Sequence, residues 1–471
     1  MRAAVPLLTD ARFDAPRQDM TMLDFTPSRR RFLGTASLVG AGALLPVSFA
    51  YAANDRAALA EDAFIWGLPL VLTGRYLDLS AKAGLGFNQF YLSPELATPA
   101  THAAGPNIDT LYGLAWLDLA AGPQVIQVPD THDRYYSVQL LDTYGDSFAY
   151  IGRRVTGTKA GAYAVTPPGW KGTLPSGVKG IAAPTGKVLA LVRTLVSGQA
   201  DLPAAQAIHS AYSTGPLAAW PQGRLPGIVR DNSINVFPVI DLSGAGAGYF
   251  DELDALVRQY PPLPEDAANF ARFAPLGIGS GKPRDPALTA TLAAAVPTAL
   301  ARIQRQAFAG STLVNGWRSN LSIAPFIRDP LARAATNIYG PGAHVAQEAL
   351  YFHTAQGPDG KPLDGTKRYR LRFAPGQTPP VDAFWSLILY DKSFFLFDNP
   401  ADRYSFNDRS EGLIYGADGS LEIVIGADQP AGTVNWLPAP REGFQLITRY
   451  YQPRPSVFDG SYKLPPLEIV S

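Results

Sequence analysis

The chain of 471 residues contains no cysteine. That excludes disulfides, thiolate nucleophiles, Cys-ligated zinc and iron–sulfur clusters. It also lacks net charge: Lys plus Arg and Asp plus Glu number 40 each. A balanced chain carries no electrostatic footprint for nucleic acid, so no nucleic-acid partner is expected. The five histidines, His102, His132, His209, His344 and His353, include no H-x-H or H-x-x-x-H pair. Their spacing therefore supports no metal site. Gly277-Ile278-Gly279-Ser280-Gly281-Lys282-Pro283 resembles a phosphate loop but fails it, with Leu276 at the leading Gly position and Pro283 at the Ser/Thr position. No G-x-S-x-G nucleophile elbow occurs. No motif names a cofactor, which stays unknown at this stage.

What is present points to a β-rich chain. Hydrophobic residues make up 46% and charged residues 17%, enough for a substantial core. Gly 44, Pro 42 and 11% aromatics suit short strands joined by tight turns. The length predicts more than one domain.

The first signal in the chain is an address. Ser28-Arg29-Arg30-Arg31-Phe32-Leu33 precedes an apolar Gly/Ala-rich run, and Ala50-Tyr51-Ala52 offers a cleavage site. Residues 1–52 read as a twin-arginine signal peptide, with Met20 and Met22 as alternative starts to Met1. The run is short and weakly hydrophobic for a span. Export to the periplasm or medium is therefore expected, with no stable membrane anchor after cleavage. Cleavage removes six Arg and four Asp, leaving 34 basic and 36 acidic residues.

Asn54 to Ser80 reads as a helix that Gly67 and Pro69 break or kink. Residues 53–200 read as an N-terminal β-sandwich, its strands punctuated by Ala121-Gly122-Pro123, Pro167-Pro168-Gly169 and Pro175-Ser176-Gly177. Residues 201–342 read as a helical section. There Asp201 with Pro203, Asp285-Pro286 and Asp329-Pro330 are cap-then-proline starts, and Pro286 to Ala309 is Ala-rich with Pro297 inside. Residues 343–471 return to strands: Phe384 to Tyr390, Leu421 to Ile425 and Phe444 to Tyr451, with turns at Asp359-Gly360 and Asp418-Gly419. The fold class expected is α+β, mainly β.

Several runs carry a family resemblance. Phe64-Ile65-Trp66-Gly67-Leu68-Pro69, Pro106-Asn107-Ile108-Asp109-Thr110-Leu111-Tyr112, Asp133-Arg134-Tyr135-Tyr136-Ser137-Val138-Gln139 and Tyr150-Ile151-Gly152-Arg153 resemble the bacterial family called domain of unknown function 1254. Phe384-Trp385-Ser386-Leu387, Asp398-Asn399-Pro400, Asp402-Arg403-Tyr404 and Asn435-Trp436-Leu437-Pro438-Ala439-Pro440 resemble its usual companion, domain of unknown function 1214. The resemblance implies an N-terminal β-sandwich, a helical section and a C-terminal jelly-roll-like β-sandwich. It implies no reaction.

The stretch Gly105 to Arg154 holds the densest set of polar candidates. Asn107, Asp109 and Tyr112 lie where a loop enters a strand. Asp109 with Tyr112 is the acid/base pair to test, and Asx-turn chemistry with a packed Tyr112 is the bland alternative. Tyr135, Ser137 and Gln139 form a polar stripe that lines a pocket or meets water, while Tyr136, Val138 and Leu140 read as core. Arg153 suits a ligand carboxylate, or with Arg154 a local carboxylate such as Asp142 or Asp146. Arg403 reads as paired with Asp402 at a sandwich edge, and Trp436 as an aromatic wall or as packing on its prolines. These residues, Asn107, Tyr135, Gln139, Arg153, Arg403 and Trp436, are the substrate-binding candidates. The leading expectation is a small-molecule pocket beside residues 105–154, with homo-oligomerisation left open. The competing one is a non-enzymatic jelly-roll assembly or cell-envelope interaction protein.

Overall fold

A computed structural model describes residues 47–101, 105–229, 240–321, 327–432 and 434–470. The twin-arginine run lies outside them. The fold is α+β and mainly β, with four sheets.

Two sheets make the N-terminal sandwich. One runs, in spatial order, Ile228–Val229, Tyr91–Leu92, Thr110–Asp118, Lys187–Leu195, Tyr136–Leu141 and Ser147–Gly152. The other runs Leu225–Pro226, Ser213–Pro216, Gln124–Val128, Gly161–Thr166 and Val178–Ala182. Period-two alternation sends Ala115 and Leu117, Tyr136, Val138 and Leu140, and Val188, Ala190 and Val192 to one face. There they meet Ile126, Val128, Tyr163 and Val165 of the second sheet. The opposite face of the first sheet is covered by helices over part of its length. Leu114, Trp116, Leu141, Leu189 and Leu191 pack against residues of Val47–Lys82, Gly248–Gln259, Thr289–Ala309 and Pro330–Tyr339.

The first helix is one element, Val47–Lys82, with Pro69 inside it. Of the expected break or kink at Gly67 and Pro69, the break does not occur. Phe64, Trp66, Leu68 and Leu70 around it are all buried. Burial of that many large side chains, at roughly 1.5–3 kcal/mol each, outweighs the ~3 kcal/mol or more that an internal Pro costs. The remaining α-helices of five or more residues fall between Leu202 and Tyr339; Gly248–Gln259 starts without a proline, and Asp201, expected to cap the first, makes no side-chain cap bond there. Asp285 and Asp329 accept the N–H of Ala287 and Leu331, both at 2.9 Å. Two helical stretches, Asp55–Lys82 and Pro286–Ala307, are long and apolar enough to cross a membrane by length and composition; the first is mostly buried inside the protein.

The C-terminal sandwich pairs a six-stranded sheet with a four-stranded one. The six run Thr312–Val314, Trp317–Ser319, Ala349–Thr354, Phe444–Pro453, Val381–Asp391 and Ser405–Asn407. The four run Asn435–Pro438, Leu421–Gly426, Arg368–Phe373 and Leu467–Val470. The chain passes between the two sheets several times: from Ala349–Thr354 to Arg368–Phe373, back to Val381–Asp391, and from Asn435–Pro438 to Phe444–Pro453. Trp385, Leu387, Leu389 and Leu446 face Tyr369, Leu371, Ile423 and Ile425 across the core.

The turn joining Tyr136–Leu141 to Ser147–Gly152 ties the first sandwich to the helices. Asp142 Oδ1 accepts the N–H of Tyr144 at 2.8 Å and of Asp146 at 3.1 Å. Asp146 Oδ1 accepts the N–H of Ile327 at 3.0 Å, and Arg333 Nη1 donates to Asp146 Oδ2 at 3.5 Å. Arg333 Nη2 also lies 2.8 Å from Asp266. Three buried carboxylates thus share one guanidinium.

Two outcomes test this packing. A Cβ at Gly67 would sit 2.4 Å from Cδ2 of Leu253, which is fully buried. Gly67→Ala gains about 1 kcal/mol of helix propensity but overpacks the site by ~1–3 kcal/mol. A net loss in a urea titration is expected, and Leu253→Ala in the same chain should recover part of it; a stabilised Gly67→Ala would remove this contact from the account. The second concerns pH. Burial, reinforced by Asp146, pushes the Asp142 carboxyl up to about 7. The folded chain therefore holds this proton more tightly than the unfolded chain, whose Asp titrates near 3.9. Its contribution to stability is full below about pH 4 and is lost as pH rises through 7. Asp142→Asn keeps the acceptor oxygen and should flatten the stability–pH curve in that window; an unchanged slope refutes the assignment.

Candidate functional site

Where the helices stop covering the first sheet, the C-terminal sandwich takes over. Strand register explains which side chains meet there, because residues paired across strands point to the same side. On the first sheet one row reads Tyr112, Arg193, Ser137 and Gly152, and the next Leu114, Leu191, Gln139 and Tyr150. On the facing sheet the rows read Ala349, Tyr451, Phe384, then Tyr351, Arg449, Ser386, then His353, Ile447, Ile388. The polar stripe through Ser137 and Gln139 is therefore buried between two sandwiches.

Two arginines hold the middle of this interface. Arg193 Nε donates to Tyr112 Oη at 3.2 Å, Nη1 to Gln139 Oε1 at 2.8 Å and Nη2 to the Gly342 carbonyl at 2.8 Å. Gln139 Nε2 in turn donates to Ser147 Oγ at 2.7 Å and to the Ala343 carbonyl at 2.9 Å. Arg449 Nη1 donates to Tyr390 Oη at 2.7 Å and Nη2 to the Gly105 carbonyl at 2.9 Å. Each of the two arginines is buried, 5% exposed as a residue. Arginine stays charged at any working pH. Burial pushes Tyr390 up to about 12 against the pull of Arg449, and raises Tyr351 and Tyr451 as well. These phenols are neutral, so none offsets the buried cations.

The predicted residues fall around this pair. Asn107 Oδ1 accepts the N–H of Asp109 at 2.7 Å, the Asx-turn geometry, and its Nδ2 donates to Tyr451 Oη at 2.5 Å. Asp109 Oδ1 accepts from Arg409 Nη2 at 3.0 Å and Asn407 Nδ2 at 3.3 Å, while Oδ2 is buried without a partner. Asp109 and Tyr112 are thus held by different arginines and share no hydrogen bond among the described residues. Tyr135 Oη donates to Glu348 Oε1 at 2.9 Å, and its ring lies 5.3 Å from both Phe384 and Tyr451.

Arg153 sits at the rim, 3.3 Å from Asp133 and donating to Gln452 Oε1 at 2.8 Å. Arg154 takes Glu348 Oε2 at 2.5 Å. The expected partners Asp142 and Asp146 are not theirs, because the turn carrying both faces Arg333 instead. Arg403 and Trp436 lie apart from the cluster. Arg403 Nη1 donates to the Trp436 carbonyl at 3.1 Å and Trp436 Nε1 to the Gly426 carbonyl at 2.9 Å. The expected buried Asp402–Arg403 pair is absent among the described contacts: Asp402, at φ 47°, turns away and accepts from Tyr404 Oη at 2.7 Å.

Sequence reasoning passed over Arg193, Tyr351, Arg449 and Tyr451, and set His344 aside as a lone histidine. The signal was one Arg in each of two strand-like runs, Lys187–Leu195 and Phe444–Pro453, whose remaining residues are mostly apolar, aromatic or uncharged. His344 is fully buried, with Nδ1 3.4 Å from Tyr150 Oη and Nε2 unpartnered. Burial first, then Arg193 and Arg154, hold its pKa well below the usual range, so the imidazole is neutral. Ser386 Oγ is also buried and unpartnered. Tyr112 and Tyr351 keep accessible surface in the midst of these buried groups, and a narrow cleft with about 10 Å³ of room for water reaches Ser147, Gly342 and Ala343 from outside. Among the described residues no group of three or more His, Asp or Glu is placed to hold a metal.

Comparison with known proteins agrees with this layout. The family model described as a protein of unknown function, DUF1254, matches residues 87–216, and that of DUF1214, also of unknown function, matches residues 348–455. No curated protein matches the chain. The crystal structure of the VPA0106 protein from Vibrio parahaemolyticus superposes with a TM-score of 0.67 at 22% identity, covering 88% of this chain and all of that one. It shares the fold. A putative uncharacterised protein from Burkholderia cenocepacia matches at a TM-score of 0.42 and 13% identity, over 89% of this chain and 96% of its own. An N-terminal stretch thus matches DUF1254 and a C-terminal stretch DUF1214, and the interface between the sheets of these two matched regions is where Arg193 and Arg449 are buried.

Proposed function

We propose that this protein is exported through the twin-arginine route and binds a small carboxylate-bearing molecule between its two sandwiches, with Arg193 as the anchor. One observation carries the reading. Among the described residues three arginines are buried: Arg193, Arg333 and Arg449. Arg333 lies against Asp146 and Asp266, whereas among the described residues Arg193 and Arg449 have only neutral partners. A buried unpaired charge costs several kcal/mol, and neutral acceptors return only part of it. A ligand carboxylate supplies the missing charge, and Arg accepts it bidentately. The unpartnered Nε2 of His344 and Oγ of Ser386 add polar contacts for the rest of the molecule. If the ligand is also transformed, the neutral His344 imidazole is the group available to move a proton.

Native mass spectrometry of the purified full chain should find a small acid bound. A panel of short mono- and dicarboxylates should raise its melting temperature. Arg193→Met is expected to weaken that binding by about tenfold to a hundredfold, the value of one or two charge-assisted hydrogen bonds. If Arg193 is only a strut, the variant melts lower and binds carboxylates as the parent does. Asp109→Asn separates the two roles further. Its carboxylate compensates Arg409, which is largely buried, so the variant should lose roughly 1–3 kcal/mol by denaturant titration. An unchanged midpoint with lost binding would instead assign Asp109 to the ligand.

A further inference from the structure

A second cleft lies at the opposite end of the helical layer, with about 210 Å³ of room. Its walls are the rings of Phe87, Trp116 and Tyr260 and the side chains of Leu77 and Leu256, with Asp78 among the lining residues. The aromatic wall is fixed: Trp116 Nε1 donates to Ser80 Oγ at 3.0 Å, and the Phe87 backbone bridges that of Trp116. Phe87 is 46% exposed, and the ammonium of Lys187 already lies over its ring at 4.8 Å. That Lys187 is tied to Asp118 at 2.5 Å. Asp78 is exposed and forms no ion pair among the described residues. Burial, then Asp118 and Asp78, raise the Tyr260 phenol above its ordinary range.

From these observations we infer that the Phe87–Trp116–Tyr260 cleft is a second binding site, for a small organic ammonium ion. Aromatic faces attract a cation through their quadrupoles, and a carboxylate at the mouth supplies the counter-charge. The apolar floor of Leu77 and Leu256 takes the alkyl part, where each buried CH₂ contributes about 0.8 kcal/mol. A neutral molecule gains only the floor. The inference is independent of the site at Arg193, which selects the opposite charge.

The test is calorimetric titration of the full chain with choline and with its neutral isostere 3,3-dimethylbutan-1-ol. Saturable choline binding is expected, about tenfold or more tighter than the alcohol, in line with a cation–π and carboxylate contribution above ~1.4 kcal/mol. Asp78→Asn and Gln259→Arg alter exposed lining residues and should each weaken choline about tenfold while leaving the melting temperature near the parent's. Equal binding of the alcohol overturns the charge assignment. No saturation below about 10 mM, or choline binding untouched by both substitutions, overturns the site.

Discussion

Two permanent cations buried between two β-sandwiches are the constraint on which the rest of this structure depends. Arg193 and Arg449 stand on facing sheets, in the central strand of three on each. Neither can move to water without separating the domains. Their acceptors are therefore fixed parts of the fold. Two come from the chain just after Gly340, the carbonyl of Gly342 for Arg193 and that of Ala343 for Gln139, the side chain Arg193 also holds. Another is the Gly105 carbonyl, at the start of the loop that carries Asn107 and Asp109. Gly342 adopts φ 68°, a conformation L side chains rarely take, and this lets the chain turn its carbonyl onto Arg193. His344 follows two residues later and lands in the same interface.

One strand shows how a single face serves two partners. In Thr110–Asp118, Tyr112, Leu114 and Trp116 point the same way. Leu114 and Trp116 are buried under the helices, and Tyr112 reaches the C-terminal sandwich. The face changes from apolar to polar where the cover changes from helix to sheet. Helices offer it only side chains. The facing sheet instead presents arginine and tyrosine, and some polar groups pair across the two surfaces, as Asn107 does with Tyr451 and Tyr135 with Glu348. The same division holds in the neighbouring strand Lys187–Leu195, where Leu189 and Leu191 meet helices and Arg193 meets the Tyr112 phenol.

Much of the architecture is legible in the sequence because local rules govern it. Alternation of Tyr136, Val138 and Leu140 with Ser137 and Gln139 separates the two faces correctly, and aspartate before proline marks two helix starts that the side chains do cap. The first helix defeats local rules, since Gly67 and Pro69 look like a stop and tertiary packing runs through them. The candidate site is half legible. Asn107, Asp109, Tyr112, Tyr135 and Gln139 cluster in sequence, and the fold keeps them in one interface. Their partners are Tyr451, Arg409, Arg193 and Glu348, and only Arg193 lies within 100 residues of the group it holds. No periodicity reports a contact of that span. Arg403 and Trp436 are misread for the converse reason: their motifs are local, and they organise their own loops.

The arrangement is hard to explain as a stability device. If the interface only joined two domains, apolar side chains of similar volume would do so without the cost of desolvating a charge, and such replacements are often neutral or stabilising by ~1–4 kcal/mol. The chain does balance buried charge elsewhere. Arg333 is set against three carboxylates, to the point that Asp142 is pushed towards protonation. Glu348 is met by both Arg154 and Tyr135, and Asp109 by Arg409 and Asn407. Those pairs border the same interface, so carboxylates were available to it and went to other arginines. Two cations left with neutral partners, a neutral imidazole with a free nitrogen, and tyrosines that keep accessible surface among buried neighbours are the features on which the proposed anion site rests.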